Sequence, residues 1–486
     1  MSISNSSPSP AERLVNSQFV RLLVIAFLIL ILQIPTFMLF GVISDRQNIR
    51  QSAITDVTSK WGKEQTLVGP RLLVPYIKRS GTAEKPKSEQ KTATFLPDDL
   101  NITGKMETET RYRGLFQVPV YTSKLEVQGK FEPVDFTTWG VKSEDVLWDR
   151  AEVVLQISDT RAISDRVSLQ WDNAKIPFEP GLGKFKASEN ITWEQPVSTA
   201  NPYRAPMPIA SPSVSTGGGI HARVKLAAEN KKSMTFSIPL ELRGSESFYV
   251  VPMGKLTQVN LNSNWANPSF QGGWLPEKPS ISAQGFEAKW QIPFLGRNFP
   301  QQWNGDSAVS DNVLYQSRFG VSLFSPVDNY HMAERSIKYN FLFIVLTFAV
   351  LWLFEVIAQL RVHPLQYLMI GVAMCLFYLL QLALSEHIGF HYAYAGASVA
   401  VVLLITSYTM SVLRAKRRGS IVGVMQVCLY SYLYVVLASQ DYSLLLGSIG
   451  LFGFLAIVMF LTRRIDWFNP GSSTTRLTAE GGDRSQ

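Results

Sequence analysis

The stretch Arg414-Ala415-Lys416-Arg417-Arg418 lies between two long apolar runs and decides how the chain crosses a membrane. Cytoplasmic loops of membrane proteins are enriched in Lys and Arg. We therefore place this loop inside the cell and alternate the other segments across the bilayer from it. The polar region of residues 44–338 then lies outside the cytoplasm.

Six apolar stretches are long enough to cross a bilayer, which requires about 20 residues per helix. They are residues 20–43, 339–357, 365–384, 392–413, 423–438 and 442–461. The fifth is short and rich in tyrosine, so whether it crosses fully stays open. The sequence predicts an α+β membrane protein with about six transmembrane helices. Its segments are an N-terminal tail (1–19), helix one (20–43), a large inserted domain (44–338), a bundle of about five helices (339–462) and a C-terminal tail (463–486).

The remaining basic residues agree with this orientation. Those at the predicted inner ends of the spans are Arg13, Arg21, Arg361, Arg463 and Arg464. The opposite turns, residues 385–391 and 439–441, contain neither Lys nor Arg. Both termini are therefore predicted to be cytoplasmic and the inserted domain periplasmic. The first apolar run is longer than a signal-peptide core and lacks a small-x-small cleavage pattern after it, so we expect an uncleaved anchor.

The charge and cysteine content place further limits on function. The net charge is +8, from 46 Lys and Arg against 38 Asp and Glu, and much of it falls in the predicted cytoplasmic loops. Topology and anionic lipid explain this charge, so the predicted partner is the lipid bilayer and not nucleic acid. Cys375 and Cys428 both fall in predicted spans, which leaves the inserted domain without a disulfide framework.

The inserted domain changes from continuous apolar runs to alternation. Met234, Phe236, Ile238, Leu240 and Leu242 occupy every second position. A period of two places one face of a strand in a core and the other in water. Several such runs, separated by turn-forming residues, predict a large antiparallel β-rich domain of sandwich or barrel-like form. We expect the charged residues 80–90 to be a solvated loop and residues 49–63 to form a short helix leaving the membrane.

One segment of this domain, residues 261–276, is rich in aromatic and turn-forming residues. Trp265, Phe270 and Trp274 lie among asparagines and glycines there. Aromatic faces beside amide groups are suited to binding a glycan or peptide. The alternative, which we favour, is a long loop folded back over the sheet and anchored by the three rings.

Polar residues near the inner end of the second span are candidate functional groups. Glu355 lies late in this span, Gln359 follows one helical turn later, and His363 lies in the next turn. Ionisable groups in lipid are costly and therefore candidates for function. We expect Glu355 to form an interfacial ion pair with Arg361, His363 or the basic loop at Arg414. The alternative is a proton or substrate relay.

A second polar group lies towards the outer end of the third span. Gln381 and Ser385 are one turn apart, and Glu386 and His387 follow. We expect these residues to form a hydrogen-bond network in the loop after the third span. No metal site is predicted, because Gly389 interrupts the helix and no third ligand is evident.

Enzymatic chemistry receives no support from sequence motifs. No HExxH, GxSxG or Walker A pattern is present. Glu355 and Glu386 belong to opposite ends of the spans, roughly 30 Å apart, so they cannot form one catalytic pair. No catalytic residue and no cofactor are predicted.

Longer stretches of the chain resemble a known family. His363-Pro364-Leu365-Gln366-Tyr367, Leu384-Ser385-Glu386-His387 and the run from Asn264-Trp265 to Leu275-Pro276 are similar to segments of the CreD family. The resemblance covers nearly the whole chain. It implies an inner-membrane protein of Gram-negative bacteria with a role in cell-envelope integrity and envelope stress, including the response to colicin or β-lactam. It supplies no catalytic residues.

Three hypotheses about function remain open. The first is an envelope-integrity protein whose periplasmic domain binds an envelope glycan or another envelope protein. The second is a transporter or flippase that uses the helical bundle. The third, ranked lowest, is a periplasmic glycan hydrolase with a carboxylate pair hidden in the β-rich domain.

Overall fold

The computed structural model describes residues 18–82, 85–183, 218–227, 232–307, 309–323, 329–358, 362–413, 416–439 and 442–463. Nearly all of both tails and Gln359 lie outside these ranges. The chain divides into two compact units. The helical unit comprises Met1–Ile49 and Val327–Gln486, and the β unit is Arg50–Pro326.

The helices follow the apolar runs. In chain order they are α1 (Gln18–Trp61), α2 (Asp311–Gln316), α3 (Asn329–Lys338), α4 (Asn340–Ala358), α5 (Pro364–Ile388), α6 (Phe390–Val412), α7 (Lys416–Ala438) and α8 (Ser443–Thr462). Among the described residues, α1, α5, α6, α7 and α8 are long and apolar enough to cross a membrane. The pair α3 and α4 is bent by 41° and makes a sixth span if the two are counted together. The 23 residues of α7 are about 35 Å long, enough for a full crossing.

The helix α1 continues well beyond the predicted first span. It runs without a break through the residues expected to form a separate short helix, and it ends at Trp61. Pro35 lies inside it, and the Thr36 hydroxyl donates to the Leu32 carbonyl at 2.9 Å.

The β unit contains two large, mostly antiparallel sheets. The strands are β1 (Gln65–Thr82), β2 (Lys85–Phe95), β3 (Asp99–Arg113), β4 (Phe116–Phe131), β5 (Ala151–Ile157), β6 (Ser168–Trp171), β7 (Ala174–Pro177), β8 (Glu179–Pro180), β9 (Gly218–Val224), β10 (Met234–Ser245), β11 (Ser247–Val250), β12 (Leu256–Ser263), β13 (Pro268–Gly272), β14 (Glu277–Ser282), β15 (Gly285–Pro293), β16 (Gln302–Trp303) and β17 (Phe319–Leu323).

The strand order brings distant segments together. One sheet runs β13-β17-β11-β1-β5-β9-β8, with β2 paired to β1 and β16 paired to β2. The other runs β14-β15-β12-β3-β4-β10-β6-β7. Two pairs, β1 with β11 and β3 with β12, are parallel, and the other pairs of named strands are antiparallel. Both sheets contribute to one hydrophobic core, which contains Leu67 and Val74 from the first and Ile102, Leu125 and Ile238 from the second.

The predicted alternation is present in this core. Met234, Phe236, Ile238, Leu240 and Leu242 are all buried on β10, and their neighbours are more exposed. This agreement follows from burial, because only one face of β10 meets the core. The α+β fold class is thereby confirmed.

The prediction of a solvated loop at residues 80–90 is wrong for most of its length. Strand β1 extends to Thr82 and β2 begins at Lys85, and the two pair from Leu72 with Phe95 out to Thr82 with Lys85. A continuous ladder of backbone hydrogen bonds extends the strands from their buried residues, such as Leu72 and Phe95, into this polar stretch. Their polar side chains concealed the hairpin from a pattern based on hydrophobicity.

Candidate functional site

The polar groups of the helical unit fall into three clusters, and the first surrounds Glu355. This residue lies near the end of α4 and its side chain is 4% exposed. Its Oε1 accepts a hydrogen bond from Arg21 Nη1 of α1 at 2.6 Å, and its Oε2 accepts one from the Tyr367 hydroxyl of α5 at 3.2 Å. The Val362 amide donates to the same carboxylate at 3.4 Å. A buried carboxylate thus holds three segments through charge-assisted hydrogen bonds.

Among the described residues the ion-pair partner of Glu355 is Arg21, which was not one of the residues expected from sequence. Arg361 and Arg414 lie outside the described residues, and His363 has a different position in the structure. His363 is the N-cap of α5, where its Nδ1 accepts from the Leu365 amide at 3.2 Å and its amide donates to Gln366 Oε1 at 3.0 Å. Pro364 occupies the first helical position, where its missing N–H costs nothing.

Two residues of the Glu355 cluster were missed by sequence reasoning, Arg21 and Tyr367. A signal for Arg21 was present, since it is the one charged residue in the apolar run of residues 20–43. A lone cation at the edge of a span needs a counter-ion, and Glu355 is the acidic residue of the second span. Tyr367 gave no signal because a tyrosine in a span is equally suited to packing.

The second cluster surrounds Glu386, near the end of α5. The Tyr330 hydroxyl of α3 donates to its Oε1 at 2.8 Å, and Arg46 Nε of α1 lies 3.7 Å from the same oxygen. His387 follows on the exposed side of the helix. Among the described residues, no group of three His, Cys, Asp or Glu side chains is arranged to hold a metal ion. Through its contacts with Tyr330 and Arg46, Glu386 links α5 to α3 and α1.

The third cluster lies between the first two, in the interior of the helical unit. Asn340 Nδ2 donates to Thr36 Oγ1 at 2.6 Å and to Cys375 Sγ at 3.8 Å. Gln426 Nε2 on α7 donates to Thr347 Oγ1 on α4 at 3.1 Å. Buried amides in an apolar interior are stable only when they find such partners.

Gln381 differs from Asn340 and Gln426, in each of which one amide atom is hydrogen-bonded. Its side chain is fully buried, and neither its Nε2 nor its Oε1 has a hydrogen-bond partner among the described residues. The same holds for the hydroxyl of Ser336 on α3. Helix α5 runs antiparallel to the α3–α4 segment. Their register is fixed by the contacts of Cys375 with Asn340 and of Glu386 with Tyr330. Because Gln381 and Ser336 fall between these contacts, they lie at about the same level of the bundle.

The aromatic segment of the β unit packs largely against the core. The Phe270 ring lies 5.7 Å from the rings of Phe286 and Trp290, and the Trp274 ring lies 6.1 Å from that of Phe319. Trp265 is partly buried, and its Nε1 donates to the Asn267 carbonyl at 2.9 Å. The three rings keep some exposed edge, but most of their area is used to cover the sandwich.

Comparison with known proteins matches this chain to inner membrane proteins. A family model described as "Inner membrane protein CreD" matches residues 17–468. Over 445 residues the chain is 28% identical to the inner membrane protein CreD of Escherichia coli strain K12, which covers 90% of this chain and 91% of that protein.

The Arg21–Glu355 pair is expected to behave as a coupled unit. Replacing either residue with glutamine leaves the other charge buried and unpaired, whereas the double replacement removes both. We expect the sum of the unfolding free energies lost in the two single variants to exceed the loss in the double variant by about 1–3 kcal/mol. Denaturant-induced unfolding of the full chain in micelles measures this coupling.

The matched control is the pair Glu334–Lys338 on α3, whose side chains are 27% and 45% exposed. An exposed pair one turn apart should give a coupling of about 0.3–0.5 kcal/mol. Additive effects of the Arg21 and Glu355 replacements would contradict a structural link between α1 and α4.

Proposed function

This chain belongs to the CreD family of inner membrane proteins, and we propose that it supports cell-envelope integrity through a β unit exposed to the periplasm. The observation that carries the proposal is a β unit of 277 residues, Arg50–Pro326, between one membrane-spanning helix and the rest of the bundle. The basic residues Lys416, Arg417 and Arg418 begin α7, and the positive-inside rule assigns that end to the cytoplasm. With α3 and α4 counted as one span, the six crossings assign both termini to the cytoplasm and the β unit to the opposite side.

We propose that the β unit binds an envelope component, either a glycan or another envelope protein. The β unit has its own hydrophobic core, to which both sheets contribute. Its attachment to helices on both sides keeps the unit at the membrane surface, where an envelope partner is at high local concentration. In this proposal the role is in the response to envelope stress such as colicin or β-lactam.

Complementation tests this proposal. A strain that lacks the chromosomal copy receives the full chain or the variants Trp265→Leu and Trp274→Leu, and survival under β-lactam and leakage of periplasmic enzyme are measured. If these rings bind the envelope component, both variants lose at least about tenfold in survival at parental membrane levels, beyond what the lower unfolding midpoint from lost ring packing explains.

Tyr112→Leu is the matched control, since this aromatic side chain on β3 is 67% exposed and is not one of the rings packed on the core. Full survival with Trp265→Leu and Trp274→Leu removes this segment as the binding surface. Failure of the unaltered chain to restore survival contradicts the envelope role itself.

A second candidate function, transport through the bundle, is favoured by one observation. Gln381 is fully buried with both amide atoms unpartnered among the described residues, as a group that meets a polar substrate or water is expected to be. Gln381 lies between two ion pairs, Arg21–Glu355 and Arg46–Glu386. In a transport pathway, such pairs are expected to open and close access to a central site.

Gln381→Leu separates the two candidates. Removing an unpartnered buried amide is expected to raise the unfolding free energy by about 1–3 kcal/mol, whereas Gln426→Leu deprives Thr347 of its partner and lowers it. If the bundle is an anchor, Gln381→Leu restores full survival in the complementation assay. A stable Gln381→Leu variant that fails to complement shifts the activity from the β unit to the bundle.

A further inference from the structure

We propose that a cleft in the β unit binds an uncharged, hydroxyl- and amide-bearing saccharide. The proposal rests on the envelope role above and names the ligand class of the β unit. The cleft has a volume of about 300 Å³ and lies between the middle of β1, the turns after β4 at residues 139–145, and the loop at residues 304–306. We call it the Trp139 cleft. This volume is at the lower end of the range for small-molecule sites.

The charges that line the Trp139 cleft balance one another. Three cationic and three anionic side chains line it, and they are Lys78, Arg79, Lys142, Glu144, Asp145 and Asp306. They form three pairs: Lys78 Nζ lies 2.6 Å from Asp306 Oδ2, Arg79 Nε lies 2.8 Å from Asp145 Oδ1, and Lys142 Nζ lies 3.7 Å from Glu144 Oε1.

This pairing selects against a charged ligand. A phosphate or a carboxylate that approaches one of these cations is repelled by the carboxylate already paired with it. A neutral ligand with hydroxyl and amide groups meets no such penalty. Paired charged side chains still offer it both donors and acceptors, since neither Lys nor Asp uses all its hydrogen-bonding capacity in one contact.

The polar groups are held in place before any ligand arrives. Asp306 contacts both Lys78 and Lys91, and these hydrogen bonds lower the pKa of the Asp306 carboxyl and raise the pKa of Lys91. The backbone amides of Asp306 and Ser307 donate to Asn304 Oδ1 at 3.0 and 3.1 Å. Asp306 therefore stays an ionised acceptor in a fixed turn, which reduces the entropy lost on binding.

An aromatic side chain forms one wall of the cleft. Trp139 is partly buried, and its ring centroid lies 5.7 Å from those of Phe95 and Phe136. These contacts fix the indole, whose apolar surface suits the C–H face of a pyranose ring. Gly140 follows in a left-handed conformation with φ 65°, and a Cβ added there has no atom within 4 Å. The space beside Trp139 is therefore open.

Binding of tri-N-acetylchitotriose to the full chain in lipid nanodiscs tests the proposal. Nanodiscs avoid detergents with sugar headgroups, which compete for such a site. Isothermal titration calorimetry measures the affinity for this trisaccharide and, separately, for inorganic phosphate. We expect saturable binding of the trisaccharide and none of phosphate at the same concentrations.

Two variants locate the binding to the Trp139 cleft. Trp139→Leu removes the aromatic wall and Asp306→Asn unbalances the charges, and each should weaken trisaccharide binding at least about tenfold. Because Trp139 packs on Phe95 and Phe136, the exposed Asp306→Asn variant preserves the test if Trp139→Leu misfolds. The matched controls are Tyr112→Leu and Asp99→Asn. Asp99 is an exposed residue of β3 that pairs with Lys130. Both control variants should bind the trisaccharide within about twofold of the parent.

Absence of saturable trisaccharide binding, equal loss in the controls, or preferential binding of phosphate overturns the proposal. These results are separable from failure of the envelope role. A chain that restores survival under β-lactam but binds no trisaccharide keeps the envelope role and loses only the Trp139 cleft as its saccharide site.

Discussion

The bilayer's intolerance of unpaired charge is the constraint on which the rest of this structure depends. In the proposed topology, Lys and Arg at one end of the spans face the cytoplasm, and each remaining charge in or near the lipid needs a partner. Arg21 and Glu355 meet this requirement at 2.6 Å, although 334 positions separate them in the chain. Gly371 on α5 allows close approach of Leu32 on α1, since a Cβ at this glycine would overlap the leucine side chain. Helix α1 is therefore an integral part of the helical unit and not merely a leading anchor.

The sequence was a reliable guide wherever one periodic pattern determined the structure. Each continuous apolar run after the β unit falls on a helix of the bundle, although α7 begins at Lys416 and not at residue 423. Alternation at residues 234–242 predicted the buried face of β10. It was a poor guide where pairing between distant segments decides the outcome. The parallel pairs of β1 with β11 and of β3 with β12 depend on which strand edges meet. The pairing of the far ends of β1 and β2 has no apolar pattern in the sequence to reveal it.

The same limit applies to the candidate sites. Glu355 and Gln381 were identified because polar residues in apolar runs are conspicuous, but their surroundings were not predictable. The Trp139 cleft was missed because its walls come from three separate segments, and each of its charged residues alone resembles ordinary surface. Trp265, Phe270 and Trp274 were conspicuous by composition, and the structure shows that much of their ring area covers the core.

The most direct test of the central claim is the side of the membrane on which the β unit lies. Single cysteines at Gln90 and Ser420, in a chain with Cys375→Ala and Cys428→Ala, are exposed to a membrane-impermeant thiol reagent in cells whose outer membrane has been permeabilised. Gln90 is exposed on β2, and Ser420 is exposed in the first turns of α7, beside the basic residues. We predict labelling of Gln90→Cys in intact inner membranes and labelling of Ser420→Cys only after lysis. Protection of Gln90→Cys before lysis would place the β unit in the cytoplasm and contradict a role in binding the envelope.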